Sequence, residues 1–275
     1  MIRRDDNSHE RRPAWVLISQ VAHARLSAAL AADWRHGDLP FAEQPEQRHE
    51  LLAAIRHHDD GWKEWESRPE IDPATSMPYD FAELPRPTAL SIWDQSIAAA
   101  RAIGPLAGGM VAGHFIWLHQ HHNVNEPVDA QWLDQTTQQR DQWLAEWIAA
   151  DQSHTASVAE ECIGWLRWFD LLSLVLCCRE TTKPRQVELT PVAKLHLAPR
   201  PLSEIISGGT SVVGQQFELD RWPFEHEEDE DRRTEPRVYT LHAESVAADR
   251  YADAEQLAAA GRAEVTLRWE FVPGL

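Results

Sequence analysis

The chain has 275 residues, 43% hydrophobic and 25% charged, a balance that excludes global disorder and fibrous classes and allows one to two domains. With 44 acids against 26 bases, the net charge of −18 disfavours nucleic-acid backbones and anionic membranes as partners. No apolar run approaches the ~20 residues that span a bilayer, and the charged opening stretch lacks the apolar segment of a secretory signal. Three cysteines, Cys162, Cys177 and Cys178, cannot build a disulfide framework. The expectation is a cytoplasmic protein, with reduced core cysteines, that acts on a small molecule; its oligomeric state stays open.

Trp15 to Ser19 reads as a short strand. From Ser19 the apolar residues Val21, Leu26, Leu30 and Trp34 recur at helical spacing until Gly37 and Pro40 stop them. A second helix is predicted from about Glu46 to His58, on the apolar face of Leu51, Leu52 and Ile55. Residues 67 to 87, with five prolines, read as an irregular loop. Helices are predicted over about 88–103, 106–122, 129–150 and 153–180, with Gly108-Gly109 marking a close helix contact. After Pro184 the pattern turns to strands: Val187 to Leu189, Leu195 to Leu197, Val212 to Leu219, Arg237 to His242 and Val265 to Val272, with a short helix at 253–260. Glu225 to Asp231 is almost wholly acidic and reads as a solvated loop. The Trp15 strand is expected to pair with Val265 to Val272. That would make one domain of residues 1–275: a helical core at 19–183 and a mixed β/α extension at 184–275 packed on it.

Three places carry chemistry. In His57-His58-Asp59-Asp60-Gly61-Trp62, four consecutive polar side chains cannot all face solvent, because consecutive helical residues differ by ~100°. Buried imidazole and carboxylate need partners, which a divalent metal or a simple His–Asp hydrogen-bonded cap would supply. Asp170 lies in an almost wholly apolar helix, where it either pairs with Arg167 one turn earlier or joins a metal site. His23, among Val, Ala and Leu, is a core histidine or a further ligand. His114 lies between these segments and could line the same pocket, with His121 or His122 as weaker candidates. Gly-rich phosphate loops, a G-x-S-x-G elbow and Cys/His zinc spacings are not found in the sequence.

The order His23, His58-Asp59, Asp170 resembles the HD-domain superfamily of metal-dependent phosphohydrolases. Those are helical proteins whose metal is held by a His, a His-Asp doublet and a later Asp. His58-Asp59-Asp60-Gly61 is similar to the superfamily's His-Asp-x-Gly signature, although Trp62 stands where a Lys often follows and Lys63 comes one place later. A resemblance covering more of the chain rests on five strings: Ile18 to Ser27, Leu51 to Glu66, Asp72 to Phe81, Gly113-His-Phe115 and Asp170 to Cys177. They look like an uncharacterised bacterial family, domain-of-unknown-function family 3891.

The strand pattern and the resemblance together give the expected fold: a mainly α, HD-domain-like helical bundle, as the resemblance implies, with a small antiparallel sheet built from N- and C-terminal strands. The resemblance also implies His23, His58, Asp59 and Asp170 as ligands of a divalent metal (Mn, Fe, Ni, Co or Zn). Asp60, His57 and His114 are then the acid/base candidates, and Arg25, Lys63 and Trp62 the substrate-binding ones. The expected activity is metal-dependent hydrolysis, of a small phosphorylated metabolite or nucleotide. The alternatives are a non-catalytic metal- or ligand-binding protein, or a di-iron oxidative enzyme with extra ligands from His114 and His121.

Overall fold

Several of the described helices begin or end at a local signal. The computed structural model describes residues 1–6, 13–121, 127–178, 183–189, 193–201, 205–207, 210–225 and 236–274. Two strands, β1 (Ile2–Asp6) and β2 (Ala14–Ile18), lead into α1 (Gln20–Asp33), capped by the Ser19 side chain, which accepts from the Ala22 N–H. Then follow α2 (Pro45–His57), α3 (Trp62–Ser67), α4 (Arg86–Arg101), α5 (Pro105–His121), α6 (Pro127–Ala150) and α7 (Ala156–Cys177). Proline at the first turn starts α2 and α4, and Thr155 caps α7. The C-terminal part contributes β3 (Arg185–Leu189), β4 (Ala193–Pro201), β5 (Ile205–Ser207), β6 (Thr210–Leu219), β7 (Arg237–Ala247), α8 (Ala254–Ala259) and β8 (Arg262–Pro273).

The sheet corrects the expected fold class. It has eight strands in the order β1-β2-β7-β8-β6-β4-β3, with β5 on β6, and the β6–β8 pair is parallel. The architecture is α+β with a large mixed sheet, not a mainly α bundle with a small antiparallel one. Two physical reasons explain the shortfall. β1 reads Ile-Arg-Arg-Asp-Asp and carries no apolar alternation, yet Ile2 and the stem of Arg4 are buried. The long strands alternate only in their middles; in β8, Val265, Leu267, Trp269 and Phe271 point inward while its first three residues are exposed. The Trp15 strand does join a C-terminal strand, but that strand is β7 (Trp15 opposite Val246), and β8 lies one place further in, between β7 and β6.

Helices and sheet share one hydrophobic cluster. Trp34 at the end of α1 packs against Trp165, Trp168, Phe169 and Phe224, and Phe224 continues to Tyr239 and Phe271 on the sheet. The Tyr239 hydroxyl donates to Asp33 at 2.8 Å, tying α1 to β7. β2 is buried on both faces: Val16 and Ile18 belong to this cluster, and Trp15 and Leu17 to a second one with Val246, Tyr251 and Leu257.

Within the helical part, α5 runs between α2, α4, α6 and α7 and is buried nearly all round. Its glycines make this possible. A Cβ on Gly109 would sit 2.3 Å from Leu144 of α6, and one on Gly113 would sit 2.8 Å from Ile163 of α7. Cys162 and Cys177 are buried free thiols, and no described helix is long and apolar enough to cross a membrane. His122, Gly208-Gly209 and most of the acidic stretch, from His226 to Asp231, lie outside the described residues.

Candidate metal centre

Three helices and the turn after the second of them bring the chemistry together. His23 lies one turn into α1, His58 caps the C-terminus of α2, Asp59 opens the turn to α3, and Asp170 lies on α7. The start of α1 is fixed by Glu66 of α3, whose carboxylate accepts from Ser19 Oγ and from the Gln20 N–H, each at 2.6 Å. The tight turn after α2 depends on Gly61, whose φ is an ordinary −65°. A Cβ there would lie 2.2 Å from the Ile92 carbonyl oxygen, so the glycine lets the turn lie against the α4 backbone. Of the four consecutive polar residues, His58 and Asp59 turn inward; His57 and Asp60 turn outward and pair with each other at 2.9 Å.

The inward groups converge. His23 Nε2 lies 3.0 Å from Asp170 Oδ1 and 3.5 Å from Asp59 Oδ2. His58 Nε2 lies 3.3 Å from Asp170 Oδ1 and 3.4 Å from Asp59 Oδ2. His23, His58 and Asp170 each offer a ligand atom within 4.8 Å of the others, and all are buried. Asp170 therefore turns to the histidines, while the Arg167 guanidinium lies 3.8 Å over the Trp117 ring.

Hydrogen bonds behind the rings set their protons. His58 Nδ1 lies 2.8 Å from the Ile55 carbonyl oxygen, which can only accept, so Nδ1 is the donor and the neutral ring keeps its lone pair at Nε2. His23 Nδ1 lies 2.7 Å from Ser173 Oγ, whose own proton goes to the Asp170 carbonyl at 2.9 Å, leaving the hydroxyl oxygen to accept from the ring. Ser27 Oγ braces that hydroxyl at 2.7 Å. His23 Nε2 is buried and makes no hydrogen bond among the described residues despite its distance of 3.0 Å from Asp170, as expected of a lone pair facing a carboxylate oxygen. Two ring lone pairs and two carboxylates facing one another, one of those lone pairs orphaned, form a donor set suited to a cation.

Without an ion, the facing carboxylates draw a proton onto His58 instead, and an ion would have to displace it. Burial opposes charge on His58, but the carboxylates of Asp59 and Asp170 outweigh it and raise its pKa to about 9. Burial also raises Asp59, against the pull of both histidines. Asp170 is buried too, yet His23 and His58 beside it hold it well below the usual carboxylate range. His114 on α5 comes within 4.0 Å of Asp170 Oδ2, and burial pushes its pKa down to about 3, so the ring is neutral; its Nδ1 has no partner among the described residues.

The cluster opens into a cavity of about 230 Å3 lined by His23, Asp59, His114 and Asp170 among others. Trp62 lines it as expected, but the other proposed substrate contacts do not. Arg25 is exposed, and Lys63 is an exposed partner of Asp60 at 2.7 Å, so the cation on the cavity wall is Arg86 instead. His57 and Asp60 do not line the cavity either, because the turn points them the other way. His121 is exposed and stacked on Trp117. Arg86 sits in the proline-rich stretch with no motif around it, and nothing in the sequence marks it. Ser173 could have been found, as the one polar residue a turn beyond Asp170 in an apolar helix.

The fold and site thus define an α+β protein built around a buried His–Asp cluster. The chain belongs to the DUF3891 family, proteins of unknown function, whose family model matches residues 1–230 and so takes in every residue of the cluster. No curated protein and no solved structure matches the chain.

Proposed function

We propose that the protein is a metal-dependent hydrolase acting on a small phosphorylated molecule. The observation that carries this reading is the convergence of His23, His58 and Asp170, joined by Asp59, with the backs of both rings hydrogen-bonded. Those four residues would hold the ion. Nitrogen and carboxylate donors suit Mn, Fe, Co, Ni or Zn. When bound, such an ion supplies Lewis acidity, neutralising charge on a phosphoryl oxygen and acidifying water. The chain's own residues do the rest. Trp62, Trp93 and Phe115 give the cavity an apolar wall. His114, held neutral, can donate or accept a hydrogen bond at Nδ1, which has no partner among the described residues.

The test is metal analysis of protein purified without chelator, paired with hydrolysis of p-nitrophenyl phosphate before and after chelation. We expect on the order of one ion per chain, turnover lost on chelation and restored by Mn or Zn, and neither ion nor turnover in Asp170→Asn. Protein that takes up no ion from excess Mn or Zn overturns the reading. The di-iron oxidative alternative needs both His114 and His121; only His114 approaches the cluster, so a second ion would lack one of its two extra ligands.

A further inference from the structure

Among the described residues, several buried polar atoms without partners belong to side chains around one cavity. Gln20 Oε1, His23 Nε2, Arg86 Nη2 and His114 Nδ1 all belong to residues that line it. Buried polar atoms are normally paired, so a group of orphans around a common space points to a ligand that pairs them. His23 is accounted for by an ion; the other three are not.

Arg86 is the informative member. Its Nε donates to Asp129 Oδ1 at 2.6 Å, and its guanidinium lies 4.8 Å over the Trp93 ring. The side chain is 14% exposed. Asp129 also lies 3.5 Å from His119 Nε2, so Arg86 shares its counter-ion. The guanidinium is thus held from one side with donor capacity left over. Among the described residues, Arg86 is also the one lysine or arginine on a wall otherwise dominated by Trp62, Phe81, Trp93, Phe115, Leu118 and Leu174. In a chain of net charge −18, no long-range field draws an anion in, so a bound anion depends on a local cation.

We propose that Arg86 is the anion anchor of this cavity, and that the ligand is a compact acid: an aromatic body against the apolar wall with its anionic oxygens on the guanidinium. The inference deepens the hydrolase reading and rests on the cavity being that enzyme's substrate site. A guanidinium fixed by a carboxylate and an aromatic face has little side-chain freedom left to lose on binding, which favours it over a mobile surface lysine.

The experiment is calorimetric titration of the full-length, metal-loaded protein with phenyl phosphate, and with benzyl alcohol as a body lacking charge. Arg86→Gln should weaken phenyl phosphate at least about tenfold, as expected for losing a charged hydrogen bond, and leave benzyl alcohol binding and metal content unchanged. Because Arg86→Gln strands the buried Asp129 carboxylate, the double variant Arg86→Gln/Asp129→Asn removes both charges and should show the same loss while melting cooperatively. Overturning results are a wild type that does not bind phenyl phosphate, or a folded variant that binds it as the wild type does. In the latter case Arg86 serves only to tie α4 to α6. A wild type that carries no ion, yet whose phenyl phosphate binding still depends on Arg86, would sink the hydrolase reading and leave this inference standing.

Discussion

Behind His23 and His58 stand groups that never reach the cavity. Ile55 offers a carbonyl and Ser173 a hydroxyl, and each settles which ring nitrogen keeps its lone pair. Ser173→Ala removes the acceptor behind His23, and we expect metal affinity to fall ~10–100-fold, read by competition with a chromophoric chelator. A purely structural serine would instead lower the melting temperature of stripped and loaded protein alike and leave affinity unchanged. The same residues predict a pH signature. In stripped protein the His58 pKa is raised from 6.5 to about 9, so its contribution to stability is full below 6.5 and disappears as pH rises through about 9. Burial raises Asp59, whose ionisation costs stability in the same direction. An ion would hold His58 neutral throughout, so the loaded protein should lack this decline. Melting curves of the two forms at pH 6.5 and 9 test it; parallel behaviour would mean the histidines never bind the ion.

Small residues decide where the helices meet. Gly61 lets the turn after α2 lie on the α4 backbone, where Gly61 N donates to Ser96 Oγ at 3.0 Å. Gly61→Ala would place a methyl against Ile92 O and Ser96 N, backbone atoms that cannot swing away. We expect a loss of ~1–3 kcal/mol or more by chemical denaturation, with weaker metal binding because His58 and Asp59 ride on that turn. The long helices were legible because their apolar residues recur at 3.6-residue spacing and proline or glycine ends them. The buried His–Asp cluster was legible because polar side chains stood in apolar surroundings, as Asp170 does in α7. α3 was not, since six residues give too short a period to read. Arg86 was not, since its role depends on Asp129 and Trp93, far away in the chain.

At the scale of the whole molecule, the sheet was the least legible part. Strand pairing is non-local, and neither the register of β2 on β7 nor the parallel β6–β8 pair leaves a mark on any one segment. Its energetic role is plain in the shared core, where Trp34, Trp165 and Phe169 reach Phe224, Tyr239 and Phe271. A chain ending before Pro184 should therefore keep helical circular dichroism but lose cooperative melting and bind hydrophobic dye. A sharp, dye-free transition would show that the helices fold alone. The pairing of His58 with Asp170 spans 112 residues. An ion between them would act as a removable cross-link. By the scaling used for disulfides, closing a loop of about that length restricts the unfolded chain by ~4–5 kcal/mol. Ion binding and global folding would then be coupled, and the ion's arrival would time the completion of folding. Hydrogen exchange should slow together across α1, α2 and α7 when it binds, three segments far apart in the chain tied by a single knot.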